Sequence, residues 1–413
     1  MLAKCLRNYS GLWQKVPMAP SDPIFAMNEK FSKLRSIRKV NLGIGVYRDD
    51  NNKPWVLPSV QEAQESLLNT DHEYLPIEGL QSFRDSIIRL TLGDSNIFRE
   101  NRVASCQTLS GTGGMSLAFE FLKRFSPSRA VYIPKESPQS YNQLLKGMTT
   151  NTYTYFNMET KEVDLENMLE DLSEAPKGSI VVLQPCGHNP TGADPNHDQW
   201  NQIQQVMAEM RHLALFDFSY QGLVSGDPHQ DAYPVRLFMN MQNPTLVSHS
   251  CSASFGLYGE RPGCFYMLCD NSIETERVTS QLKILARPLY SNPPLHGAKI
   301  ASKVLNTDEL QKQWLKDLQT MHTRTCHIRE MLVDFLKEKG SEHDWSHIQN
   351  HSGWFSYTGL APKLCRQLSE RHKILMTEDG RISVTGLNTK NVEYVAEAFD
   401  NVTRYAPKLN QSL

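Results

Sequence analysis

Arg102-Val103-Ala104-Ser105-Cys106-Gln107-Thr108-Leu109-Ser110-Gly111-Thr112-Gly113-Gly114-Met115 decides the fold, because the chain changes its periodicity within it. Up to Leu109 it reads as a β-strand. A glycine-rich turn follows, and beyond it Met115, Leu117, Ala118, Phe121 and Leu122 recur at helical spacing. The same strand-then-helix order repeats outward. Residues 130–134 read as a short strand. Residues 179–184 (Ser-Ile-Val-Val-Leu-Gln) form an apolar run typical of a strand buried on both faces. Residues 198–211 read as a helix, 212–216 as a strand with Asp217 at its end, and 245–248 as another strand. Alternating strands and helices predict an α/β protein with a mostly parallel central sheet flanked by crossover helices. Ligands of such sheets gather at the carboxyl ends of the strands.

Past Ser291-Asn292-Pro293-Pro294 the pattern turns helical to about Lys339, and from Trp354 it mixes short strands and helices. This predicts a smaller α+β domain reached through a long helix. The division expected is 17–47 as an N-terminal arm and part of the small domain, 48–320 as the large domain and 321–413 as the rest of the small domain. Residues 1–16 stand apart. The chain has no Asp or Glu before Asp22, while Lys4, Arg7 and Lys15 are basic and Leu2, Cys5, Leu6 and Tyr9 share a helical face. That is the physics of a mitochondrial presequence, with a basic disordered N-terminus and a cytoplasmic protein as the alternative.

At 413 residues, 39% hydrophobic and 21% charged, the chain suits a globular protein with a large core. A net charge of -2 without a basic run disfavours nucleic-acid binding. No apolar stretch reaches membrane-spanning length. The eight cysteines are scattered and form no CxxC pair, which reads as reduced thiols and no metal site.

Several residues carry candidate chemistry. Ser110, Gly111 and Thr112 open a helix after a strand, so their backbone N–H groups and the helix dipole suit an anion; an ordinary glycine turn reads the same way. Asn189, in His188-Asn189-Pro190-Thr191-Gly192, is driven toward an extended backbone by Pro190 and points its amide into a cleft or simply makes a turn. Asp217 is either a carboxylate for a protonated ring nitrogen or a helix N-cap, with Tyr220 three residues on. Ser250, Ser252 and Arg261 offer hydroxyl and guanidinium contacts to phosphate, and Arg287 and Arg381 offer forks for carboxylates.

The order of these groups closely resembles the aspartate aminotransferases, the mitochondrial form most of all, from Leu12-Trp13 to about Tyr405. The resemblance rests on Asn41-Leu42-Gly43-Ile44-Gly45-Val46-Tyr47-Arg48, Glu73-Tyr74-Leu75-Pro76, His188-Asn189-Pro190-Thr191-Gly192, Tyr258-Gly259-Glu260-Arg261, Ser291-Asn292-Pro293-Pro294 and Asp379-Gly380-Arg381-Ile382-Ser383. It implies a fold-type I pyridoxal-phosphate transferase working as a homodimer on dicarboxylic amino acids and 2-oxo acids. By the same resemblance Ser110, Gly111, Thr112, Ser250, Ser252 and Arg261 would hold the cofactor phosphate, with Tyr74 from the other subunit. Asp217 would pair with the ring nitrogen, and Asn189 and Tyr220 with the phenolic oxygen. Arg381 would take the substrate α-carboxylate, Arg287 of the other subunit the distal one, and Gly45 would line the substrate entrance.

Two departures from the family pattern bear on chemistry. The Schiff-base lysine aligns with Ala253, in Ser250-Cys251-Ser252-Ala253-Ser254-Phe255-Gly256, and the ring-stacking tryptophan aligns with Pro138. A nearby family histidine is Tyr141. A methyl group neither forms an imine nor moves a proton. Arginines stay protonated and cannot substitute, and Lys135 is badly placed to reach the reacting carbon. Three functions stay open: a pseudoenzyme that keeps the fold and a noncovalent cofactor or dicarboxylate site, an active transaminase of altered mechanism, and a partner subunit in a heterodimer with an active paralogue.

Overall fold

The computed structural model describes residues 13–128 and 130–404. The amphipathic pattern over Leu2, Cys5, Leu6 and Tyr9 lies outside them.

Seven strands form the central sheet: β1 (Val103–Leu109), β2 (Ala130–Pro134), β3 (Thr149–Tyr153), β4 (Ile180–Leu183), β5 (Leu213–Phe218), β6 (Thr245–Ser250) and β7 (Pro262–Leu268). Their order is β1-β7-β6-β5-β4-β2-β3. The pairs β3–β2, β2–β4, β4–β5 and β5–β6 are parallel, with Val182 opposite Leu215 and Asp217 opposite Ser248. Ile180-Val181-Val182-Leu183 is buried throughout, as a strand covered on both faces must be. Helices α1 (Ser110–Phe125), α2 (His197–Glu209) and α3 (Ser272–Tyr290) cover the sheet, and α2 opens on an Asn196–Gln199 capping box.

β7 is the exception, antiparallel to both neighbours. The connection from Ser250 to Pro262 contains no helix and is too short for a crossover, so the strand can only turn back beside β6. This reversal positions the site. It leaves residues 251–261 looped at one end of the sheet, where β7 begins against the end of β1.

Three details differ from the sequence reading. The glycine-rich stretch is already helical, since α1 starts at Ser110. β5 runs on through Asp217 to Phe218. The long helical stretch is divided by Thr307, in extended backbone, into α4 (His296–Asn306) and α5 (Asp308–Glu338).

A second, smaller core joins Val40 and Leu42 to residues of the chain's last quarter, including Ile374, Ile382, Val395 and Phe399. Val40–Asn41 pairs in parallel with Ile374–Leu375. α5 serves both cores: Trp314, Leu318 and Met321 pack in the larger, and Ile328, Leu332 and Leu336 in the smaller.

Candidate active site

A cavity of about 270 Å³ opens at the carboxyl ends of β5 and β6. One pole is built of hydroxyls. Ser110 Oγ lies 2.7 Å from Ser250 Oγ and 2.8 Å from Ser252 Oγ. Arg261 donates through one terminal nitrogen to Ser252 Oγ (3.2 Å) and the Tyr258 carbonyl (3.1 Å). No carboxylate among the described residues forms an ion pair with Arg261, and burial alone holds its pKa below the usual guanidinium range. Ser110 and Arg261 both take left-handed backbone (φ 59 and 55), and the Ser110 N–H donates to the Arg261 carbonyl at 2.9 Å. Only a small fraction of non-glycine residues adopt this conformation. Gly111 completes the pole: a Cβ there would lie 3.2 Å from Ser250 Cβ and 3.7 Å from Asp217 Oδ1. A side chain there would crowd Ser250, so glycine keeps the first turn of α1 close to it.

The other pole is Asp217. Its Oδ2 accepts from the Tyr141 hydroxyl (2.7 Å) and its Oδ1 from Ser219 Oγ (3.0 Å). Burial pushes its carboxyl above the usual range, and those hydrogen bonds pull it back. No cation among the described residues pairs with it.

Between the poles the wall includes Thr112, Asn189, Tyr220, Pro138, Ala253 and Gly45. The Ala253 methyl is 5% exposed, and no lysine lines the cavity among the described residues. Lys135 is turned elsewhere, donating to Thr154 Oγ1 at 2.7 Å. Arg381 stands just behind Asn189, donating to its Oδ1 at 3.3 Å and to the Gly43 carbonyl at 2.5 Å, with its guanidinium 4.9 Å from the Phe355 ring centre. Its Nε is buried without a partner.

Thirteen of the residues singled out from sequence meet in this cavity, Pro138 and Tyr141 among them. Arg381 adjoins it, while Tyr74, 84% exposed, and Arg287, also exposed, do not line it. Ser219, Ser140 and Leu144 line it unforeseen. Ser219 carries a usable signal, standing two positions beyond the strand-end carboxylate. Ser140 and Leu144 come with the short helix Tyr141–Leu144, which no pattern in the sequence marks.

The family model for class I and II aminotransferases matches residues 37–399. The chain belongs to that family. Among its relatives, the mitochondrial aspartate aminotransferase of Schizosaccharomyces pombe is 43% identical, covering 97% of this chain and 94% of its own. The aspartate aminotransferase from Saccharomyces cerevisiae cytoplasm has 42% identity and a TM-score of 0.94 over 96% of this chain and 100% of its own. An aromatic-amino-acid aminotransferase from Burkholderia pseudomallei, solved covalently bound to pyridoxal phosphate, has 38% identity and a TM-score of 0.92 over 95% and 99%. Class I aminotransferases use pyridoxal phosphate, and this aminotransferase chain is aspartate-aminotransferase-like.

The poles suit such a group. A phosphate needs hydroxyl and guanidinium donors without a competing acid, as at Ser110, Ser250, Ser252 and Arg261. A protonated pyridine nitrogen needs a buried carboxylate without a competing cation, as at Asp217.

Proposed function

We propose that this aminotransferase-family chain binds pyridoxal phosphate or pyridoxamine phosphate noncovalently, recognises dicarboxylic amino acids and 2-oxo acids, and is severely impaired in transamination. One observation carries this reading: the cavity has an unpaired anion at one pole, an unpaired guanidinium at the other, and a methyl group with no amine between them.

Ser110, Gly111, Thr112, Ser250, Ser252 and Arg261 would hold the phosphate. Asp217 would accept from the ring N–H, and Asn189 and Tyr220 would contact the phenolic oxygen. Arg381, already desolvated and with a free Nε, would take the α-carboxylate. The exposure of Tyr74 and Arg287 suits residues that serve a second copy of the chain, Tyr74 at its phosphate and Arg287 at the distal carboxylate. Pyridoxal phosphate, when bound, supplies an electron sink for the amino-acid α-carbon.

Among the described residues that line the cavity, none is suited to moving the α-proton. Tyr141, Tyr220 and Tyr258 line the cavity, but burial raises the pKa of each above the ordinary tyrosine value. Efficient general bases titrate near working pH. Ala253, the position that resembles the family lysine, can neither capture the aldehyde nor carry the proton.

With aspartate and 2-oxoglutarate, purified protein should turn over at least ~10²–10⁴-fold more slowly than an ordinary transaminase, the range of a lost general base. Rates ordinary for the family would refute the reading. Borohydride treatment with pyridoxal phosphate should leave the mass at residues 250–261 unchanged in the native protein and add one cofactor in Ala253→Lys. Sedimentation should find a homodimer; a chain recovered only with a paralogue would favour the heterodimer instead. The acid-free N-terminus and relatives named mitochondrial support the matrix as its location, which a fluorescent C-terminal fusion would test.

A further inference from the structure

Resting on that cofactor reading, we propose that Tyr141 is a positioning residue, whose hydroxyl hydrogen bond to Asp217 Oδ2 fixes the carboxylate plane and leaves a ligand's N–H⁺ as the one group able to complete it. Tyr141 is 2% exposed and its hydroxyl donates at 2.7 Å, while Ser219 Oγ donates to the other carboxylate oxygen at 3.0 Å. A carboxylate that accepts a hydroxyl at each oxygen is restrained against rotation, each oxygen keeps a further lone pair, and the residue lines the cavity.

The groups around Asp217 are all uncharged at neutral pH. Tyr141 comes from the short helix Tyr141–Leu144, Ser219 and Tyr220 follow β5, and Gly111 brings the backbone of α1. Arg261 donates to Ser252 and Tyr258, and Arg381 to Asn189 and Gly43. A phenol, unlike an imidazole, offers no cationic form to neutralise the carboxylate. Burial and the adjoining carboxylate hold the Tyr141 proton in place far above its ordinary range. The site therefore favours N-protonated pyridine ligands over analogues with a neutral carbon at that position.

The test is a pH titration of the Asp217 carboxyl by ¹³C NMR in unliganded protein, together with calorimetric binding of pyridoxamine phosphate from pH 5 to 9. Tyr141→Phe keeps the ring and removes the donor. The Asp217 midpoint should rise by about one pH unit, the scale of one lost hydrogen bond to a charged acceptor. The acid limb of the binding profile should rise with it. Ser219→Ala should move the midpoint less, because its bond is longer, and Tyr141→His should move it the other way, below the native value, because its imidazolium form stabilises the carboxylate. An unmoved midpoint in Tyr141→Phe, with binding weakened equally at every pH, would overturn the positioning role and leave the cofactor reading intact. A moved midpoint in a protein that binds no pyridoxamine phosphate would uphold the positioning role and overturn the cofactor reading.

Discussion

At the scale of single residues, the site is defined by charges left without partners. Among the described residues no acid neutralises Arg261, which spends its hydrogen bonds on a hydroxyl and a carbonyl. Arg261→Gln should weaken pyridoxal phosphate binding by ~10–100-fold, the loss expected for charge-assisted hydrogen bonds. It should leave the affinity for pyridoxal, which lacks the phosphate, almost unchanged; calorimetry with the two ligands separates these outcomes, and an equal loss for both would show a general collapse of the site. Asp217, Ser250 and Arg261 were legible in the sequence because chemistry that needs a carboxylate or a fork at a strand end leaves that residue type there. The contact between Tyr141 and Asp217 was not legible. It joins residues 76 positions apart, and no local pattern encodes a meeting made by sheet order.

Elements bring these residues together through close approaches that tolerate little change. At Gly263, on β7, an added Cβ would fall 2.6 Å from Ser110 Cα and 2.9 Å from the His249 carbonyl oxygen. Both obstacles are backbone and cannot swing aside. Gly263→Ala should therefore destabilise the fold by about 1–3 kcal/mol and displace the start of α1, the usual scale of overpacking; a urea midpoint equal to that of the native protein would contradict this. On α5, Arg329 is 2% exposed and donates to the carbonyls of Ile348 (2.7 Å), Ser352 (3.1 Å), Gly353 (3.0 Å) and Phe355 (2.6 Å). Burial without a carboxylate hydrogen-bonded to it lowers its pKa to about 10. Arg329→Met would strand those carbonyls and should cost about 3–5 kcal/mol, as for other broken buried polar groupings, read from denaturant unfolding. The strand–helix alternation of the large sheet was plain in the sequence, since buried strands leave unbroken apolar runs. The break at Thr307 was not, because neither glycine nor proline marks it. The reversal of β7 depends on the length of the loop before it, which apolar periodicity does not report.

Across the whole molecule, stability should depend on acid through buried histidines. Burial depresses His188, His249 and His351 to about 3 and His347 to about 4, against an ordinary 6.5. Below pH 6.5 the unfolded chain takes up protons that the folded one refuses, so stability falls as pH falls from 6.5 toward 4. By pH 5 each group withdraws about 2 kcal/mol. Asp231, raised to about 6 by burial, works in the opposite sense and offsets about 1 kcal/mol by pH 5, and Asp194, Asp217 and Glu136, whose carboxyls burial also raises, act in that same sense. The urea midpoint should be lower at pH 5 than at pH 7; equal midpoints would mean that the buried carboxyls cancel the imidazoles or that these imidazoles are hydrated. One feature of the smaller core reaches into how the chain is made. Gly43 and Arg381 meet through a hydrogen bond although they are 338 positions apart, and the strand at Val40–Asn41 has its partner at Ile374–Leu375. During synthesis, therefore, the early strand waits with its edge unpaired until nearly all of the protein has left the ribosome. A chain truncated before Ile374 should keep the larger core's pieces and yet present residues 40–42 as bait for chaperones, so the last stretch translated acts as the latch on the first.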